Sequence, residues 1–280
     1  MIRSGAELDR LVGEEPRRIL ALGGGGFTAA ERSPALDLLV LELTRKPVPR
    51  ICFLPTASGD QREQLIRFQE RFGTWPCEPS ILPLFHLGHE RIDPAAHLLS
   101  QDAIYVGGGS MRNMLAIWRE HGIDRTMRAA WEAGIVLAGV SAGAMCWFEG
   151  GISCSSGKPQ PVRGLGLLRD SLSVHADGEP ERLPAYLRSV ASGELPAGYA
   201  ADDGAALVFA GRRLVACVAT RLGAGVKRVE VCGTDVVQTA MTMKRLDPAD
   251  DPRGVCHPDR HADRVALAEL RELWMQRHSW

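Results

Sequence analysis

Residues 135–148 read IVLAGVSAGAMCWF, and this stretch decides the fold. Ile135–Val140 is apolar throughout and too short for a helix, the composition of a strand buried on both faces. It runs straight into the helix-like AGAMCWF through Gly139-Val140-Ser141-Ala142-Gly143. Gly-x-Ser-x-Gly between a strand and a helix is a nucleophile elbow, a sharp strained turn that exposes a serine Oγ and tolerates only small neighbours. A buried strand feeding a helix in this way predicts an α/β protein with Ser141 at the carboxyl end of its sheet, where such folds gather their ligands.

Outward from the elbow, four more apolar runs of strand length appear: Arg18–Gly23 (RILALG), Arg50–Leu54 (RICFL), Ser80–Phe85 (SILPLF) and Ala103–Val106 (AIYV). Helical patterns separate them. Ser33 and Pro34 read as a cap and first turn ahead of ALDLLVLELTRK, and Gly59–Phe72 carries Leu65, Phe68 and Phe72 at helical spacing. Met111, Met114, Leu115 and Trp118 form a core-facing stripe. Strands alternating with crossover helices predict a doubly wound, mostly parallel sheet flanked by helices. After Gly204 the texture changes to AALVFAG, RLVACVA, KRVEVCG and DVVQTAMTM, short strands divided by turn residues, which predict an antiparallel extension at one sheet edge. The organisation expected is one α/β domain over 1–246, then a linker and C-terminal helix over 247–280 with Leu267, Leu270 and Trp274 on one stripe. That tail helix either docks on its own domain or joins subunits into a homo-oligomer; the sequence does not choose.

Lys+Arg 33 against Asp+Glu 34 leaves a formal charge of −1 over 280 residues, and so no electrostatic reason to expect nucleic acid or an anionic membrane as partner. No apolar run approaches a membrane span, and the charged opening MIRSGAELDRLVGEEPRR lacks a signal-peptide core. The cysteines at 52, 77, 146, 154, 217, 232 and 256 are odd in number and form no C-x-x-C pair, which points to a reducing cytoplasm rather than a disulfide framework. No metal is expected, because no His/Cys/Asp set has ligand spacing, and no other cofactor is implied. The run Gly23–Gly26 (GGGGFTAAE) lacks the dinucleotide fingerprint of spaced glycines, helix and acid.

Chemistry therefore centres on Ser141. A second cluster, Val106-Gly107-Gly108-Gly109-Ser110, also follows a strand, and its bare backbone lets N–H groups approach a substrate carbonyl beside the N–H of Ala142. A serine nucleophile needs a base. Of eight histidines, His175 ends the strand-like SLSV at the start of the loop His-Ala-Asp-Gly-Glu, and His86 is the other strand-end candidate. Asp177, Asp202 and Asp203 are each placed to supply an orienting carboxylate. Cys146, five residues past Ser141, reads as a core residue of the following helix.

VGGGS, AGVSAGAMCWF, the SVHAD segment and GYAADDGAALVF occur in the order of the corresponding elements of the dipeptidase E family of serine peptidases, which also includes cyanophycinase, and the chain resembles that family through most of residues 18–240. The resemblance implies a fold like the class I glutamine amidotransferases, of flavodoxin-like type, and a serine–histidine–carboxylate triad acting on small peptides. It places Ser141 as nucleophile, His175 as base, Gly108 and Ala142 at the oxyanion hole, Gly109 in the substrate-binding loop and Asp203 as third member. The family more usually has glutamate there; aspartate is one methylene shorter, so the backbone must shift or Asp177 or Asp202 must serve. The family's aspartyl dipeptidases grip an amino-terminal aspartate with an arginine downstream of the histidine, a role that falls on Arg182, with Arg188 as rival. A carboxypeptidase-like or isoaspartyl-type enzyme, or a non-catalytic module on the same fold, are the other readings.

Overall fold

In the computed structural model, which describes residues 10–28, 33–89 and 92–246, the elbow strand lies near the middle of an eight-stranded sheet. β5 (Val136–Val140) sits between β1 (Arg18–Leu22) and β4 (Ala103–Val106), with β2 (Arg50–Leu54) and β3 (Glu78–Ile81) beyond, and all five run parallel. Every residue of β1, β4 and β5 is buried, which is what their unbroken apolar sequence requires. The third strand lies earlier than the expected Ser80–Phe85. Pro83 has no amide to donate, and the chain turns into a 3-10 segment, Leu84–His89, pinned by the Asp60 carboxylate accepting from the Phe85 amide at 2.9 Å.

Beyond β1 the sheet continues antiparallel through β10 (Ala205–Ala210) and β11 (Arg213–Ala219) and closes on β14 (Met243–Arg245), parallel to β11. AALVFAG and RLVACVA thus form the edge extension. KRVEVCG and the DVVQTA part of DVVQTAMTM do not, although the closing Met243 opens β14. They fold as a hairpin, β12 (Val226–Cys232) and β13 (Asp235–Ala240), in a second sheet of order β13-β12-β9-β8-β6-β7. Its other strands are β6 (Gly150–Ser153), β7 (Gln160–Arg163), β8 (Ser171–Ser173) and β9 (Gly198–Ala201), with β6, β8 and β9 parallel and the remaining pairings antiparallel.

Register brings the functional loops together. Leu22 pairs with Val140 and Val106 with Gly139, so the glycine runs after β1 and β4 leave the sheet on either side of residue 141. Leu22 also faces Ala206 of the antiparallel β10, so the residues just before β10 arrive at the same edge. Those residues, Asp202 to Gly204, are the crossing from β9 in the second sheet to β10 in the first.

The helices hold these loops still. Met111–His121 buries Met111, Met114, Leu115 and Trp118 as its spacing requires; Ser110 Oγ caps it by accepting from the Asn113 amide at 3.2 Å, and Gly122 ends it at φ 69°. Trp118 is fully buried and donates from Nε1 to Thr56 Oγ1 at 3.2 Å, so truncation to alanine should cost about 3–5 kcal/mol. Phe27, just past the Gly23–Gly26 run, lies in an aromatic cluster with Phe53, Phe68 and Tyr105 at centroid distances of 5.1, 5.5 and 5.1 Å, which anchors that loop. Helix Ala35–Leu43 starts on Pro34 without a side-chain cap, and Ser33 Oγ is buried without a partner, so the expected Ser33 cap does not form. The linker and tail helix expected over 247–280, with Leu267, Leu270 and Trp274, lie outside the described residues. Among the described residues, no helix is long and apolar enough to cross a membrane.

Candidate active site

Ser141 stands between β5 and the short helix Ala142–Met145 with φ 55° and ψ −114°, a conformation that costs a non-glycine residue on the order of 1–3 kcal/mol. Its neighbours hold it there. The Ser141 amide donates to Leu22 O at 3.1 Å, and its carbonyl accepts from the Ala144 and Met145 amides at 3.0 Å each. Both elbow glycines are obligatory: a Cβ at Gly139 would lie 2.1 Å from Gly143 O, and one at Gly143 would lie 2.3 Å from Val106 O.

Against this serine the second sheet delivers His175, two residues past β8, at φ 51°. The His175 amide bonds to Gly23 O at 3.2 Å, which ties the loop to the end of β1. The imidazole Nε2 lies 2.9 Å from Ser141 Oγ, and Nδ1 lies 2.5 Å from Asp203 Oδ1. With Asp203 ionised, Nδ1 carries the proton toward the carboxylate and Nε2 is left bare to accept the serine hydroxyl proton. One chain of hydrogen bonds therefore joins Ser141, His175 and Asp203 across the seam of the two sheets.

The other two acids are engaged elsewhere. Asp177 Oδ1 accepts from the Asp203 amide at 2.9 Å while its Oδ2 pairs with Arg221, and Asp202 Oδ2 accepts from the Gly225 amide at 2.9 Å. Burial raises the Asp202 pKa above the ordinary carboxylate value. His86 lies on the 3-10 segment after β3, near the buried Asp60, whose carboxyl is pushed up to about 6 by desolvation. Cys146 is fully buried, its thiol donating to Gly143 O at 3.2 Å and held well above its usual pKa by desolvation, which suits a core residue and not a nucleophile.

In the second glycine cluster, Gly108 is the residue against the serine: a Cβ there would lie 3.3 Å from Ser141 Cβ and 3.9 Å from Oγ. Gly109, at φ 139°, must lack a side chain because Ala57 O would lie 2.1 Å from its Cβ. The Gly107 and Ser110 amides bond to Leu54 O and Ala57 O at 3.0 and 2.7 Å, whereas among the described residues no backbone carbonyl takes the amides of Gly108 and Ala142.

Arg182 is buried, and its guanidinium is already held. Nε and Nη2 each donate to Glu179 at 2.9 Å and Nη1 donates to Ile152 O at 2.7 Å. Glu179 lies below the usual carboxylate pKa, desolvation being outweighed by Arg182, its hydrogen bonds and the nearby His175. The rival Arg188 lies on the exposed side of the helix Arg182–Ala191.

Three participants escaped sequence reasoning: Gly24, Arg221 and Glu179. A Cβ at Gly24 would lie 1.9 Å from Asp203 Oδ1. The signal for it was the four-glycine run at a strand end, which a dinucleotide test alone does not exhaust. Among the described residues, no group of three or more His, Cys, Asp or Glu could hold a metal ion.

Comparison with known proteins agrees in class. The profile of Peptidase family S51 matches residues 19–216. The chain is 43% identical over 230 residues to "Uncharacterized peptidase YgaJ" of Bacillus subtilis (strain 168), an alignment covering 82% of this chain and 99% of the relative. Among solved structures it resembles a peptidase from an acI-B1 Actinobacterium (TM-score 0.58, 18% identity, 80% of this chain and 96% of that one). It also resembles a putative peptidase E protein from Listeria monocytogenes EGD-e (TM-score 0.50, 15% identity, 81% and 99%). The fold is of the peptidase E type, and the chain belongs to peptidase family S51.

Proposed function

We propose that this member of peptidase family S51 is a serine peptidase that hydrolyses short peptides through Ser141, His175 and Asp203. The observation that carries the reading is the unbroken run of hydrogen bonds from Ser141 Oγ through His175 to Asp203, set on a strained strand-to-helix turn. His175 Nε2 takes the hydroxyl proton as Oγ attacks the scissile carbonyl, and Asp203 stabilises the imidazolium that forms. The Gly108 and Ala142 amides donate to the oxyanion. His175 then returns the proton to the leaving amine, and a water deprotonated by the same imidazole hydrolyses the ester, restoring the serine.

Preference for an amino-terminal aspartate, the dipeptidase E specificity, draws no support from Arg182, because that guanidinium is buried on Glu179 and Ile152. This favours a second reading of the specificity, as a peptidase of another kind, carboxypeptidase-like or isoaspartyl-type. Free thiols at Cys52, Cys77, Cys146, Cys154, Cys217 and Cys232 suit a cytoplasmic site of action. The test is a panel of free, amino-blocked, carboxyl-blocked and isoaspartyl dipeptides, with fluorophosphonate labelling mapped by mass spectrometry. Label on Ser141 and turnover of at least one substrate class are expected. A folded protein that takes no label and turns over nothing would make the chain a non-catalytic member.

A further inference from the structure

Asp203 reaches His175 with a carboxylate on a single methylene, and the slot it occupies is narrow. Cβ atoms at Gly24 and Gly178 would lie 1.9 Å from Oδ1 and 3.0 Å from Oδ2. Such a slot fixes where the carboxylate goes only if the backbone of Asp203 is itself fixed, and both of its polar main-chain groups are held by side chains from other segments. The Asp203 amide donates to Asp177 Oδ1 at 2.9 Å. Its carbonyl accepts from Arg221 Nε and Nη2 at 3.2 and 3.1 Å, and Arg221 also pairs with Asp177 Oδ2. Asp177 lies two residues past the base and Arg221 two residues past β11, so the pair links the histidine loop, the aspartate turn and the first sheet.

We infer that Asp177 and Arg221 are positioning residues for the reaction: their ion pair clamps the turn of Asp203 to the loop of His175 and so sets the Asp203–His175 contact. The inference rests on the triad reading above. Both side chains are 35% exposed, and exposed ion pairs add little to global stability, so the effect of the pair falls on local geometry. Neither side chain bonds to Ser141 or to the imidazole in any contact described, so the pair acts through Asp203.

Asp177→Asn, Arg221→Met and the double variant, each made in the parent and in an Asp203→Asn background, test this on one good dipeptide substrate, with melting temperatures measured alongside. In the parent, each single change should lower kcat by roughly 10- to 100-fold with KM within about threefold. The double variant should be no worse than the poorer single by more than about threefold, as expected of residues in one network. Arg221→Lys should recover part of the loss. In the Asp203→Asn background the same changes should cost less than about twofold further, since the contact they set is already gone. Equal losses in both backgrounds, a KM effect in place of the kcat effect, or single variants within twofold of the parent would each overturn the clamp. If Arg221→Met does not fold, Asp177→Asn, which keeps the acceptor but removes the charge, carries the same comparison. Near-parental activity in Asp203→Asn and Ser141→Ala would instead sink the triad reading itself.

Discussion

Gly24 lies so close to Asp203 that a Cβ on it would fall 1.9 Å from Asp203 Oδ1 and 2.9 Å from both Nδ1 and Cε1 of His175. The backbone of residue 24 is therefore one wall of the acid's slot, and the Gly204 amide bonds to its carbonyl at 3.0 Å. Gly24→Ala must push the carboxylate off Nδ1 or displace the loop that Phe27 anchors. Because the imidazolium would lose its partner, kcat should fall by roughly 10²- to 10⁴-fold while KM changes by less than about fivefold. Activity within tenfold of the parent would mean that the slot relaxes without cost, and that Asp203 does not depend on it.

Ser141→Ala should remove hydrolysis and fluorophosphonate labelling while leaving the melting temperature close to that of the parent, because it deletes the proposed nucleophile and adds no bulk to the turn. Ser141→Gly should be equally inactive but more stable than Ser141→Ala. Glycine adopts φ 55° without the penalty that any Cβ incurs there, a gain on the order of 1 kcal/mol after its extra unfolded-state entropy is deducted. Equal or lower stability of the glycine variant would show that the elbow stores no strain at Ser141.

These two sites differ in how far sequence alone discloses them. The elbow is local: Gly139, Ser141 and Gly143 are consecutive in one motif whose steric demands do not depend on the rest of the chain, and β1, β2, β4 and β5 lie within a residue of where their apolar runs place them. The slot around Asp203 is non-local. It joins Gly24, His175, Asp177 and Arg221, separated by up to 197 positions, and they meet through three pairings: β10 on β1, β11 on β10, and β8, which precedes His175, on β9. For the same reason KRVEVCG read as a strand but not as a strand of a second sheet. Alternation marks a half-buried surface and says nothing of which partner lies beside it. Arg182 was legible as a charge near the histidine, whereas its burial against Glu179 and Ile152 follows from the path of β6.

A pH dependence of stability should originate beneath the Gly23–Gly26 loop. Asp37 is fully buried there, near Tyr105 and the Phe27 amide, with Arg71 Nε 3.7 Å away, and desolvation outweighs these to raise its pKa to about 7. The ion pair argues for an ionised carboxylate and the burial for a neutral one. Burial prevails, because the contact is long and Oδ2 has no hydrogen-bond donor. A carboxyl whose folded pKa is raised stabilises the fold fully below its unfolded value near 4, and that contribution is lost as pH rises through about 7. Asp37→Asn removes the titration, so its melting temperature relative to the parent should rise between about pH 4 and pH 7 and level off above that. A difference that is flat, or that falls with pH, would show Asp37 ionised throughout and paired with Arg71.

The three aspartates near His175 should separate by kinetics according to what each carboxylate holds. Asp203 bonds to Nδ1 directly, so Asp203→Asn leaves a side chain of the same shape that cannot stabilise an imidazolium and can favour the wrong tautomer. In known serine triads such a change lowers kcat by about 10⁴-fold, and on the proposed function a loss of that order is expected here with KM moving far less. Asp202 is turned the other way, its Oδ2 accepting from the Gly225 amide, and an asparagine can still accept there, so Asp202→Asn should stay within about threefold of the parent. Asp177→Asn should fall between them, because its amide oxygen can still take the Asp203 N–H while the ion pair to Arg221 is gone. All three need measuring on one substrate, with circular dichroism to confirm folding. Were Asp177→Asn the crippling change and Asp203→Asn nearly silent, the acid of this site would belong to the His-Ala-Asp segment itself, and the AADDG turn would be scaffolding.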